Sequence, residues 1–547
     1  MKKYSVGIDF GTLSGRAVLM DADSGEIVSS AVCEYKHGVI DEKLSSGKIL
    51  PTNTALQNAQ DYVDVLRTTV REVMEKSGVS AESIKGIGID FTSCTMLPVD
   101  ENMRPLMFDP EFADEYHAYV KLWKHYSCQA EGDRITEIAQ KRGEEWLSRY
   151  GGKASAGWMF PKILQVLNEA PRVYDAAAKF IHGADWITYL LTGEETHSAS
   201  FAGIKCFWSK EGGFPSAEFF GEVEPKFANV VREKMPDRIV GVGRTVGYVS
   251  KEAAALMGLC EGTPVATPII DAHASIPAIG ITEPGTLIIV LGTSSAQMVH
   301  SKEESHIKGI CGYLKDAVFD GLYTYEASQA CCGDHLDWFV KNCVPYEYKA
   351  DAEKQGINIH KYLRSKAERL KVGESGLLAL DWNNGNRSIL ADSSLTGAIF
   401  GLTLRSKPEE IYRALIEAAA FGAKRIVDAF EESGIKIDRV VASGGIAEKD
   451  SMTVGIYADI LDRTITVPDA PMSAAKGSAI YGAVAAGIYE NAEIASNKLG
   501  IKSGKTYEPK AENVRVYEKL YREYCVLHDY FGRGENDLLK KLRSIRD

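Results

Sequence analysis

Gly7-Ile8-Asp9-Phe10-Gly11-Thr12-Leu13-Ser14-Gly15-Arg16 gathers a carboxylate, glycines, two hydroxyls and a guanidinium into ten residues. Tyr4 to Ile8 alternates in the β manner, Gly11-Thr12 turns, and Arg16 to Met20 returns as a strand, so the segment reads as a hairpin with Asp9 near its turn. Backbone amides of a tight glycine turn cradle phosphate oxygens, Arg16 can neutralise their charge, and Asp9 can hold Mg2+ through water. Taken alone, the stretch reads equally well as an ordinary hairpin with a polar turn.

A second copy shifts that balance. Thr286 to Leu291 reads as a strand, Gly292-Thr293-Ser294-Ser295 as a turn and Ala296 to His300 as the returning strand, roughly 280 residues after the first hairpin. Solenoid repeats run at about 20 to 50 residues, so this spacing suits duplication of a whole domain. Two related α/β lobes with a cleft between them are expected, each turn gripping one polyphosphate from its own side. The remaining segments fit: Gln57 to Ser77 is helical, Ile84 to Ile89 is a strand ending at Asp90, and a long helix from Pro408 to Ser433 precedes the strand Arg439 to Ala442. That last strand runs into Ser443-Gly444-Gly445, a turn where a nucleoside could pack on bare backbone, although a simple βα connection has the same pattern. Glycines with Pro236 and Pro264 cluster around Val240 to Thr263, which puts the lobe boundary near residue 250: 1–250 mainly for a sugar, 251–547 mainly for a nucleotide.

Gly262 to Ile270 reads as one mostly apolar strand ending in Asp271. The carboxylate could cap a helix from Ala272 to Ile279, or act as a base toward an attacking hydroxyl. A Walker A loop is excluded, because Gly500-Ile501-Lys502-Ser503-Gly504-Lys505-Thr506 is one residue short and lies in a polar tail.

The 547-residue chain exceeds one ordinary core, and 45% hydrophobic with 25% charged residues excludes disorder as the default. A formal charge of −12 argues against broad association with nucleic acid or anionic membranes. Ten scattered cysteines show no CxxC or Cys/His zinc spacing, so reduced thiols are expected. Asp9 interrupts the N-terminal apolar stretch before it could serve as a signal segment, and no run of ~18 apolar residues occurs, so a cytoplasmic protein is expected.

With these motifs in place, the sequence resembles the FGGY carbohydrate kinases of the actin/hexokinase/Hsp70-like superfamily over nearly its whole length. Gly157 to Asn168 around Lys162, and Gly397-Ala398-Ile399-Phe400-Gly401-Leu402 followed by Glu410-Ile411 and Ala414 to Glu417, are similar to the family's diagnostic regions. The first departs from the pattern, with Gln165 in place of a Trp and Met159 in place of a small residue or Pro. His117 to His125, Asp381 to Arg387 and Ala202 to Cys206 resemble the branch acting on ketopentoses. Related kinases show Trp-x-Asp-x-Arg where this chain has Trp123-Lys124-His125, so no sugar contact transfers to His125.

The resemblance implies an α/β fold of two actin-like (ribonuclease H-like) lobes and ATP-dependent phosphorylation of the terminal hydroxyl of a ketopentose, foremost L-ribulose in L-arabinose breakdown. It implies Asp271 as base, Asp9 serving Mg2+ through water, Gly11, Thr12, Arg16, Gly292 and Thr293 near the phosphates, and Gly397, Gly444 and Gly445 near the nucleotide. Lys205 and Glu326 would contact the sugar, with Ser93 and Trp123 in the pocket. A snorkelling surface lysine, an edge-strand charge and a core aromatic are the ordinary readings of Lys205, Glu326 and Trp123. The implied partners are a sugar and ATP, with no nucleic acid and no membrane; a homodimer stays open. A kinase for D-ribulose, xylulose or ribitol is the near alternative, and a nucleotide-switched chaperone or filament protein is the distant one.

Overall fold

A computed structural model describes residues 2–546 and resolves them into two compact units. One holds the chain up to Thr282 with Gly312–Thr324 and Ala470–Lys502; the other holds Glu283–Cys311, Tyr325–Asp469 and the chain from Ser503. The units therefore do not part at residue 250. Residues 251–282, Asp271 among them, fold with the N-terminal residues, and Ala470–Lys502 returns to the same unit.

The sheet of the first unit runs Thr245–Tyr248, Pro264–Ala266, Ile84–Phe91, Tyr4–Phe10, Ser14–Asp21, Ile27–Glu34, with Ile269–Ile270 also paired to Ile84–Phe91. Tyr4–Phe10 and Ile84–Phe91 are buried almost throughout, as strands covered on both faces must be. They pair in parallel, and they carry the same tetrapeptide in register: Gly7, Ile8, Asp9 and Phe10 lie beside Gly88, Ile89, Asp90 and Phe91. The Phe10 and Phe91 rings stack with centroids 5.0 Å apart. Both glycines are steric necessities. A Cβ at Gly7 would stand 1.8 Å from Ala475 O, and one at Gly88 1.8 Å from Ser478 O, so the bare backbone lets the helix Ser473–Ala485 lie directly on the sheet.

The helix Ala59–Ser77 covers the other face. Gly15 abuts its Val65, whereas Gly7 pairs with Val18, three residues further along the same strand, and an odd separation points to opposite faces. This helix begins two residues later than its sequence suggests, because Asn58 caps it by accepting from Gln60 N, while Leu56–Gln57 forms a short strand. The stretch before Asp271 is not one strand either. Pro268 has no N–H to give a ladder, and the segment splits into Pro264–Ala266 and Ile269–Ile270.

The second unit repeats the plan. Within this unit the sheet places residues 325–329 of the strand Tyr323–Gln329, then Ser295–Ser301, Thr286–Leu291, Arg439–Ser443, Ile465–Pro468 and Gly504–Tyr507 in that order. Thr286–Leu291 forms an antiparallel hairpin with Ser295–Ser301 and a parallel pair with Arg439–Ser443, as Tyr4–Phe10 does with Ser14–Asp21 and Ile84–Phe91. The expected polar tail is partly a strand: Gly504–Tyr507 pairs antiparallel with Ile465–Pro468. A 25-residue helix, Pro408–Glu432, opens with Pro at its first turn and ends at Ser433. No helix of the described residues is long and apolar enough to cross a membrane.

Candidate functional site

In the first unit, three carboxylates stand at the C-terminal ends of three neighbouring parallel strands: Asp9 after Ile8, Asp90 after Ile89, and Asp271 directly after Ile270. Open α/β sheets bind ligands beyond these strand ends. Asp9 is 4% exposed and lies across the hairpin from Arg16, whose Nε is 3.4 Å from Asp9 Oδ2. Burial raises the Asp9 carboxyl above its ordinary range and Arg16 pulls it back. Asp90 is raised much further, first by burial and then by Asp9; Ser478 Oγ donates to its Oδ2 at 2.6 Å. Ser478→Ala removes that donor inside the core, and it is expected to lower stability by about 1–2 kcal/mol, read as a lower denaturant midpoint.

The hairpin turn closes through Gly11 N donating to Ser14 O at 3.0 Å. Thr12 is tied down twice: Gln57 Nε2 donates to its carbonyl at 2.8 Å, and Trp123 Nε1 donates to its hydroxyl at 3.0 Å. Trp123 is half-buried and meets the Gly11–Ser14 turn through this bond. Asp271 is the first residue of the helix Asp271–Ala278, half-buried, and Ala272 N donates to its Oδ1 at 2.7 Å, which fixes the rotation of the carboxylate. Lys205 follows the short helix Ala199–Gly203 and, like Ser93, is half-buried. His125 is fully buried, accepting from Ala55 N through Nδ1 and meeting Gln165, Ser127 and Lys121 through Nε2. It belongs to an internal polar network. Lys162 is likewise internal, donating to the carbonyls of Cys94 and Leu122.

In the second unit, Gly292 N donates to Ser294 O at 3.0 Å, which makes this turn one residue tighter than its counterpart. Thr293 is exposed, and its carbonyl accepts from Cys332 N and Gly333 N, the backbone that leads into the helix Asp334–Asn342. Gly444 adopts φ 90°, and a Cβ there would stand 2.6 Å from Leu291 O, so only glycine lets the strand Arg439–Ser443 turn into the helix Gly445–Lys449. Gly445 is exposed with open space where a side chain would be. Gly397 packs against the Asn383 amide, and Glu326 is 5% exposed in Tyr323–Gln329. The candidate residues thus divide: Asp9, Gly11, Thr12, Arg16, Ser93, Trp123, Lys205 and Asp271 in the first unit, and Gly292, Thr293, Glu326, Gly397, Gly444 and Gly445 in the second. Asp90 was not among them, although the repeated Gly-Ile-Asp-Phe carried the signal.

Residues 4–276 match the N-terminal domain of the FGGY family of carbohydrate kinases, and residues 287–486 match its C-terminal domain. A ribulokinase of Geobacillus thermodenitrificans is 47% identical over 100% of this chain and 98% of its own length, and one of Mycolicibacterium smegmatis is 41% identical over 100% and 96%. Among solved structures, xylulose kinase from Rhodospirillum rubrum superposes with a TM-score of 0.78 at 23% identity, covering 97% of this chain and 99% of that one. Plasmodium falciparum glycerol kinase with ADP reaches 0.75 at 16% identity over 96% and 98%. These likenesses show the fold, the actin-like α/β plan already evident in the duplicated hairpins. With both domains matched in order and relatives alike from end to end, the chain belongs to the FGGY family of carbohydrate kinases.

Proposed function

We propose that this chain transfers the γ-phosphoryl group of ATP to the terminal hydroxyl of a ketopentose, L-ribulose first, giving L-ribulose 5-phosphate and ADP. The observation that carries the reading is full-length similarity to proteins named ribulokinase, at 45–47% identity in five of them. The strand-end carboxylates supply a chemistry to go with it.

Mg2+ and a nucleotide fit the residues present. Asp9 and Asp90 offer only oxygen donors at adjoining strand ends, a set for a hard cation, and Gly444 and Gly445 leave bare backbone at a strand-to-helix turn. Bound as Mg·ATP, the nucleotide supplies the transferable phosphoryl and the metal charge that offsets its oxygens. The chain's residues do the rest. Asp271, its carboxylate held by Ala272 N, accepts the proton of the sugar hydroxyl as that oxygen bonds to phosphorus and the bridging oxygen departs with ADP. Asp9 orients the metal's water, while Arg16, Gly11, Thr12, Gly292 and Thr293 take the phosphates and Gly397, Gly444 and Gly445 the nucleotide. Lys205, Glu326, Ser93 and Trp123 position the sugar. Because Trp123 also donates to Thr12, sugar and phosphate contacts share one hydrogen bond.

Arg16→Ala is expected to raise the KM for ATP about tenfold or more, the loss of one charged contact, with the sugar KM little changed. An unaltered ATP dependence removes Arg16 from the phosphate site. Specificity is read by ADP release with L-ribulose, D-ribulose, xylulose and ribitol. The highest kcat/KM is expected with L-ribulose, and a clear preference for another of the four reassigns the substrate.

A further inference from the structure

Away from these strand ends, the first unit buries two imidazoles and a carboxylate in mutual contact. His182 ends the strand Lys179–His182, Asp185 lies in the first turn of the helix Gly183–Thr192, and His197 stands in the two-residue strand His197–Ser198. All three are at most 1% exposed. Three atoms converge: His182 Nδ1 is 3.0 Å from His197 Nε2, and Asp185 Oδ2 is 3.7 Å from the first and 3.9 Å from the second. Asp185 Oδ1 accepts from Ser198 N at 2.9 Å, whereas the converging Oδ2 accepts no hydrogen bond. A proton shared between the imidazoles satisfies the two facing nitrogens but leaves that buried oxygen without a donor, a costly state for a carboxylate; the outer nitrogens, His182 Nε2 and His197 Nδ1, have no hydrogen-bond partner either.

The size of the triangle discriminates further. One point in its plane lies about 2.1 Å from all three atoms, within the ~2.0–2.2 Å of zinc bonds to His nitrogen and Asp oxygen. A water, needing ~2.7–3.0 Å to each partner, would stand about 2 Å above or below that plane rather than in it, so the two occupants differ in position. The Phe201 and Phe214 rings lie near the two imidazoles, with centroids 5.2 and 6.1 Å away, and give the cluster an apolar wall. Nitrogen donors also separate this cluster from the all-oxygen strand ends, where a hard cation belongs.

We propose that His182, Asp185 and His197 bind one divalent transition-metal ion of the zinc type, as a structural site distinct from the phosphoryl-transfer residues. The ion ties the start of the helix Gly183–Thr192 to the segment running on through Ala199–Gly203 to Lys205. That segment is fastened in turn to the stretch before Asp271, since Ser198 Oγ donates to Pro268 O at 2.6 Å. Its loss should therefore act on stability before it acts on turnover.

The test uses the untagged full-length chain, expressed in medium with added Zn2+ or Co2+ because the site is closed once folded. Expected are about one equivalent of metal after exhaustive dialysis, visible d–d absorption from the Co2+ form, and a thermal midpoint several degrees above that of chain produced under metal depletion. His182→Gln and His197→Gln should each lose the metal and the absorption, while His37→Gln, on the half-exposed histidine paired with Asp61, keeps both. Should a variant not fold, comparison of metal-loaded and metal-depleted wild type decides by itself. Metal content near zero, equal midpoints in the two preparations, or a Co2+ spectrum that survives His197→Gln overturns the proposal and leaves a hydrogen-bonded histidine pair.

Discussion

Asp271→Asn is expected to cut kcat by ~10²–10⁴-fold, the usual loss when a positioned base is removed, with sugar affinity within a few-fold of the parent. Asn keeps the shape and can still accept from Ala272 N, so the helix Asp271–Ala278 should form as before. What it lacks is basicity toward the hydroxyl proton. The kcat readout matters because Asn caps a helix as well as Asp does, so an acid whose only role lay at the helix start would leave both stability and turnover per folded molecule intact. Near-normal kcat in the folded variant removes Asp271 from the chemistry.

Gly88→Val carries the second large effect, on folding rather than catalysis. Its first side-chain atom would meet Ser478 O at 1.8 Å and Gly482 N at 3.1 Å, and backbone cannot rotate away as a side chain can. Overpacking of this kind typically costs 1–3 kcal/mol and here should cost at least about 3 kcal/mol, enough to lower the thermal midpoint by several degrees or prevent accumulation of soluble protein. The matching change at Gly445, where open space surrounds the position, should leave the midpoint nearly unmoved. Equal stability losses at the two sites would contradict the packing of Ser473–Ala485 on the sheet.

The two hairpins were legible because alternation and a Gly-Thr turn are local signals, and Thr286–Leu291 forms with the bounds its pattern gives. Where the sequence misled, a single residue usually decided. Pro268 broke one apolar run into two strands, and Asn58 shortened a helix by capping it. The division of the chain was less accessible, since Ala470–Lys502 joins the first unit by contacts of its helix with Gly7 and Gly88, nearly 400 residues away or more, and no local pattern announces such a partner. Asp90 is a different case. Its Gly-Ile-Asp-Phe copy was visible, but only the parallel register set it beside Asp9 and made the pair of buried acids evident. His182 and His197 lie 15 residues apart without metal-type spacing, and the return of the chain through Gly183–Thr192 brings them together.

The position of the phosphate on the product decides whether the terminal hydroxyl of L-ribulose is the group phosphorylated. Incubation of the chain with L-ribulose, ATP and Mg2+, followed by 31P and 13C NMR of the sugar product, should show a phosphomonoester on C5 and ADP formed in equal amount. A phosphate on C1, or ADP appearing with inorganic phosphate whether or not sugar is present, would contradict it.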